Sequence, residues 1–170
     1  DKFFLSLKRK INDGLRFIQI REKAFKEGDL EVLIMKIKKI LEHANVKLII
    51  NSSIELAYKF QLDGVHLNSA QLHELKYFPK DILVGVSCHS RKDLEVAEEK
   101  NADFVVLGSV KKTLTHPNFE PIGWEKFNKL IENSSLPIYS IGGMTSNDIS
   151  SSFENGAIGI ASQRAIWNGL

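Results

Sequence analysis

The residues of this sequence that could do chemistry cluster at the ends of short β-branched runs. FIQIREK, from Phe17 to Lys23, closes such a run with Arg21, Glu22 and Lys23. An arginine offers a planar fork that fits phosphate or diphosphate, and a lysine adds a mobile point charge, so Arg21 and Lys23 are candidate anion ligands. The competing reading pairs Arg21 and Glu22 in salt bridges local to the strand end. LIIN ends on Asn51 and GVHL carries His66, polar groups where an apolar run stops. His66 reads first as a hydrogen-bonded core residue, because a single histidine without ligand partners nearby makes no metal site. GVSCH sets Ser87, Cys88 and His89 in succession, but neighbours on a strand point to opposite sides, which argues against a Cys–His dyad and leaves Ser87 as the candidate.

Two later segments complete the set. The run from Gly108 to Trp124 is a long loop with Lys111, Lys112, Thr113, Thr115 and His116. Long loops after strands carry function, so these side chains are expected to close over an anionic substrate; Pro117 and Pro121 would also stiffen a merely solvated loop. SIGGMT places Gly142 and Gly143 ahead of a helical pattern, and IGIASQRAIW does the same with Ala161 and Ser162. Backbone N–H groups at such turns favour negative charge, and the two together make a phosphate cup.

Seven β-branched runs position these groups: FIQIR from Phe17, KLIIN from Lys47, GVHL from Gly64, ILVGVS from Ile82, FVVLG from Phe104, PIYSIGG from Pro137 and IGIAS from Ile158. Helical patterns start near Asp29, Ser53, Ala70, Arg91, Gly123 and Ser146, a short one runs from Arg164 to Trp167, and one from Lys2 to Asn12 opens the chain. Strand–helix alternation is the mark of a parallel α/β sheet. A doubly wound sheet would carry a Gly-rich turn after its first strand, where Arg21, Glu22 and Lys23 stand instead. The pattern therefore predicts a TIM-type (β/α)8 barrel in one domain over 1–170, with the first strand missing from this chain. The open seam predicts that the chain dimerises, aggregates or borrows a strand.

Composition narrows the function classes. The 23 basic and 21 acidic residues leave a net charge of +2 with the basic ones scattered, against a dedicated nucleic-acid surface. Lys36, Lys38 and Lys39 fall between Ile34, Ile37, Ile40 and Leu41 as the wet face of an amphipathic helix. Cys88 is the one cysteine, so no intrachain disulfide forms and a cytoplasmic location is the expectation. No apolar run approaches the roughly 18 residues of a membrane span. The start at Asp1 without methionine reads as a piece of a longer chain.

In order, QIREK, LIIN, DGVHL, VGVSCH, ADFVVLGSV, PIYSIGGMT and GAIGIAS resemble the strand-end motifs of the thiamine phosphate synthase superfamily, which includes the thiazole tautomerases. The resemblance spans residues 3 to 167 and implies a barrel that binds phosphorylated thiazole and pyrimidine precursors of thiamine. It implies that Arg21, Lys23 and Asn51 bind the pyrimidine diphosphate, with Ser87 against it and Lys111 or Lys112 on the diphosphate. Gly143, Ala161 and Ser162 would bind the thiazole phosphate. Synthases of this kind hold Mg2+ on two Asp residues, at positions where this chain has Ser52 and Gln71. Tautomerases have a histidine where this chain has Ser109, and His116 is the remaining candidate for that proton shuttle. THPNFEPIGWEKF and GIASQRAIW resemble a subgroup in which the barrel follows a Nudix hydrolase domain. The implied activity is condensation of hydroxymethylpyrimidine diphosphate with thiazole phosphate. The alternatives are a noncatalytic phosphate-metabolite-binding partner of a Nudix domain, or a tautomerase. The implied partners are a phosphorylated small molecule and a second copy or an upstream Nudix domain.

Overall fold

Val and Ile runs become strands here because their branched side chains pack on a pleated surface. In GVHL and FVVLG every position is buried, as parallel strands covered on both faces require. A computed structural model describes residues 2–113, 120–163 and 165–167. It divides into two compact units, residues 1–66 and 67–168.

The first unit runs α1 (Lys2–Asn12), β1 (Phe17–Ile20), α2 (Glu27–Leu41), β2 (Lys47–Asn51), α3 (Ile54–Lys59) and β3 (Gly64–Leu67). β1 pairs parallel with β2, Phe17 opposite Lys47 through Ile20 opposite Ile50, and β2 with β3, Ile49 opposite Gly64 through Asn51 opposite His66. Its core is Leu7 of α1, the stripe Ile34, Ile37 and Leu41 of α2, and Leu48, Ile49 and Ile50 of β2. Spacings of three and four put the α2 residues on one face. Ser53 starts α3 by accepting the Leu56 N–H at 3.1 Å. Asp63 accepts the Leu48 N–H at 2.8 Å and the Lys47 ammonium at 2.7 Å, tying the approach to β3 to the start of β2.

The second unit runs α4 (Ser69–Glu74), β4 (Leu83–Cys88), α5 (Arg91–Glu99), β5 (Phe104–Gly108), α6 (Gly123–Ile131), β6 (Ile138–Ile141), a 3-10 turn (Ser146–Asp148), α7 (Ile149–Glu154), β7 (Gly159–Ala161) and a 3-10 turn (Ala165–Trp167). β4 pairs parallel with β5, β5 with β6 and β6 with β7: Gly85 faces Phe104, Val105 faces Ile138 and Tyr139 faces Gly159 at their starts. Gly85 is required by its partner, since a Cβ there would lie 2.1 Å from the Phe104 ring. Val84, Val86, Leu94, Ala97, Val105, Leu107 and Phe127 form the core. Asp103 accepts the Val84 N–H at 2.7 Å, repeating two strand–helix units later the device that Asp63 provides in the first unit.

All seven expected strands are present, and their order along the chain is as the β-branched runs predict. The helix expected from near Asp29 starts at Glu27, and the helical pattern from Ser146 opens as a 3-10 turn before α7. Among the described residues no helix is long and apolar enough to cross a membrane.

Candidate functional site

In the first unit, parallel pairing puts three polar groups on one edge. Arg21 follows β1, Asn51 ends β2 and His66 lies within β3, all toward the C-terminal ends where barrel folds carry function. Arg21 and Lys23 are exposed, and among the described residues Arg21 makes no hydrogen bond or ion pair, so the salt bridge with Glu22 is not formed. His66 is 4% exposed. Burial, with the charge of Arg21 second, pushes its imidazole down to about 4, so the ring is neutral at pH 7. Asn51 is held from both sides: its Oδ1 accepts from Gln19 Nε2 at 3.1 Å and its Nδ2 donates to Ser52 Oγ at 2.8 Å. Ser52 takes a left-handed backbone, φ 63°, and its N–H donates to the His66 carbonyl at 2.8 Å.

In the second unit Ser87 is half-buried on β4 and Cys88 is fully buried. Burial, with the Asp93 charge second, pushes the Cys88 thiol up to about 12, and His89 beside it is exposed, so the two do not act together. The loop after β5 is sewn to the loop after β6. Val110 N–H donates to the Ile141 carbonyl at 2.8 Å, and Lys111 N–H to the Gly142 carbonyl at 3.1 Å. The Lys111 ammonium is ion-paired with Asp148. The hydrogen bond from Lys111 holds the Asp148 carboxyl below the usual carboxylate range, against the opposing effect of burial and with help from Thr145.

Gly142 and Gly143 have φ of 102° and 65°, and a Cβ on them would fall 2.0 Å from Ser109 Oγ and 2.8 Å from the Lys112 carbonyl oxygen. Both glycines are thus required by the close approach of the two loops. Ser162 donates to the Met144 carbonyl at 2.9 Å, joining the turn after β7 to the same cluster, and Ala161 ends β7. Ser109 Oγ donates to the Lys111 carbonyl at 2.8 Å. His116 and Thr115 lie in 114–119, outside the described residues.

The Gln71 side chain serves the start of α4: its Oε1 accepts the Asn68 N–H at 3.2 Å while its own N–H donates to Asn68 Oδ1 at 3.0 Å. Among the described residues no group of three or more His, Cys, Asp or Glu is placed to hold a metal.

Gln19, Asp148 and Asp93 are the polar residues that reading the sequence missed. Gln19 had a signal, for it interrupts an apolar strand just ahead of Arg21. Asp148 and Asp93 had none beyond their positions near helix starts.

Comparison of the whole chain defines the class. It superposes on a thiamine phosphate pyrophosphorylase of Pyrococcus furiosus with a TM-score of 0.77 at 22% identity, covering 93% of this chain and 77% of that one. The fold is of the α/β TIM-barrel type, with seven strands among the described residues, one fewer than the full set. The family model for thiamine monophosphate synthase matches residues 1–166. A thiamine-phosphate synthase of Clostridium novyi is 32% identical over 160 residues, 92% of this chain and 78% of its own. That of Alkaliphilus oremlandii is 30% identical over 167 residues, 96% of this chain and 80% of its own. The chain belongs to the thiamine monophosphate synthase family.

Proposed function

We propose that the chain carries the transfer reaction for which its relatives are named, joining hydroxymethylpyrimidine diphosphate to thiazole phosphate. A C–N bond forms between the thiazole nitrogen and the pyrimidine methylene carbon. The C–O bond from that carbon breaks, and the electron pair leaves with inorganic diphosphate. The observation that carries this reading is Arg21: an exposed guanidinium at the C-terminal end of β1 without an ion pair among the described residues, in a chain of this family. Charge developing on departing diphosphate is stabilised by a preset cation.

In this reading Arg21, Lys23 and Asn51 of the first unit bind the pyrimidine diphosphate. Asn51 reaches it in an orientation fixed by Gln19. His66, neutral and buried, offers a ring nitrogen rather than a charge. In the second unit Lys111 offers an ammonium and Ser87 a hydroxyl to phosphate oxygens, and Gly142, Gly143, Ala161 and Ser162 serve the thiazole phosphate. Tautomerisation is not favoured, because the relatives are synthases and Ser109 offers no ring nitrogen to shuttle a proton.

The two positions at which the resemblance expects magnesium anchors carry no carboxylate here. Ser52 is neutral and its Oγ accepts from Asn51, while the Gln71 carbonyl is spent on the Asn68 N–H. A hard cation favours carboxylate oxygens, and neither residue supplies one.

The test is an assay with both precursors, with and without Mg2+, on the chain and on Arg21→Ala. Thiamine phosphate formed by the chain, and lost at least tenfold in the variant, supports the reading; saturable precursor binding without product replaces it by the noncatalytic binder.

A further inference from the structure

His89 stands just past the end of β4 with an exposed side chain, yet its ring is fixed. Its Nδ1 lies 2.8 Å from the Gly108 carbonyl oxygen. A carbonyl only accepts, so Nδ1 carries the proton and donates. The backbone of His89 is fixed as well, because its N–H donates to Asp93 Oδ2 at 2.8 Å. Asp93 is 8% exposed and on its other oxygen receives His73 Nε2 at 2.8 Å. Its own N–H donates to Ser90 Oγ at 3.1 Å, which starts α5. Burial pushes the Asp93 carboxyl up, but the bonds from His73, His89 and Ser90 outweigh it and hold it below its usual range. The carboxylate is therefore ionised at neutral pH and binds on both oxygens.

What this chain of bonds grips is the last carbonyl of β5. Gly108 begins the loop that carries Lys111, and it has no slack: a Cβ there would lie 2.2 Å from the Ile141 carbonyl oxygen. Beyond it, the loop depends on register, with Val110 and Lys111 donating to the Ile141 and Gly142 carbonyls. Capping of α5 alone would need Ser90 and Asp93, but neither the imidazole of His89 nor its reach across to β5.

We propose that His89, held by Asp93 and His73, is a positioning residue that fixes the Gly108 carbonyl and thereby sets the loop presenting Lys111 to an anionic ligand. The ligand part rests on the reading above; the setting of the loop does not.

Three substitutions of His89 separate its two nitrogens. Asparagine places an N–H donor where Nδ1 is, glutamine places one nearer Nε2, and alanine places none. Two readouts are taken on the full chain: amide exchange at Val110 and Lys111, and affinity for inorganic diphosphate by calorimetry. His89→Ala and His89→Gln should speed exchange at those two amides by about 5- to 10-fold, the loss of one hydrogen bond, and leave Val84 and Val86 unchanged. Diphosphate affinity should fall by a similar factor, and His89→Asn should restore both. Retention by glutamine with loss by asparagine would overturn the proposal in favour of Nε2. Unchanged exchange in all three variants would overturn it outright. If the unsubstituted chain fails to bind diphosphate, the functional reading fails, and the exchange pattern still decides the role of His89.

Discussion

Lys111 is ion-paired with Asp148, 37 residues further along the chain, and the pair closes the loop after β5 onto the start of α7. Asp148 also accepts the Thr145 N–H at 3.0 Å and hydroxyl at 3.1 Å, so one carboxylate serves both the ammonium and a helix start. Its pKa is lowered in the folded chain, so the stability it supplies is present above its unfolded value of 3.8 and is lost as pH falls through the lower folded value. Asp148→Asn should cost about 1 kcal/mol at neutral pH, within the usual range for a cap and a half-exposed ion pair. Urea midpoints of both proteins should differ by a constant amount down to about pH 4 and converge below it. A gap that instead widens as the pH drops would show that the carboxylate is not stabilised by these bonds.

The histidine of β3 also loses its contribution as the pH falls, but from a higher starting point. His66 is neutral when folded, with its pKa brought from 6.5 to about 4 by burial and then by Arg21. The unfolded chain takes up the proton first, so stability from this site is complete above pH 6.5 and declines as pH falls toward 4. The shift corresponds to roughly 3 kcal/mol across that window. Proton NMR of the His66 ring should titrate with a midpoint near 4, and the midpoint should rise in Arg21→Ala. A midpoint at the ordinary histidine value would mean that the ring is solvated.

How much of this was legible follows from range. Strands such as KLIIN and FVVLG carry their own signal, since a run of β-branched residues needs no distant partner to be read, and both match the structure residue for residue. Arg21 and Asn51 could be placed at strand ends for the same reason. Their companions could not: Gln19 meets Asn51 across 32 residues, and Lys111 meets Asp148 across 37. Only the pairing order of the strands brings those groups together. The two glycines after β6 illustrate a signal with two meanings. A positive φ and a missing Cβ are needed for close approach, and the sequence does not say whether a phosphate or another loop approaches.

The thiol of Cys88 gives a chemical check on the second unit. It is fully buried, and its pKa is pushed up to about 12. At pH 8 only about one molecule in ten thousand would carry the thiolate, the form that attacks a disulfide reagent. Reaction with an aromatic disulfide should be slow in buffer and complete within the mixing time in strong denaturant. Rapid labelling of the folded chain would place the sulfur at the surface and break the registry of β4 with β5.

Two glycines distinguish the requirement for close approach from ordinary helix propensity. At Gly142 the backbone has φ of 102°, and a Cβ would meet Ser109 at 2.0 Å from its Oγ and 2.7 Å from its Cα. The second contact is with backbone, which cannot rotate aside. Gly142→Ala should therefore destabilise by about 2–4 kcal/mol, the sum of left-handed strain and overpacking. Gly28 lies near the start of α2, and a Cβ there meets nothing within 4 Å. Gly28→Ala should stabilise by about 0.5 kcal/mol through lower unfolded-state entropy and better helix propensity. Urea denaturation of the two variants in parallel measures both signs. Equal effects would mean that the loop after β6 does not pack on Ser109, and the glycine would then be left for a ligand to explain.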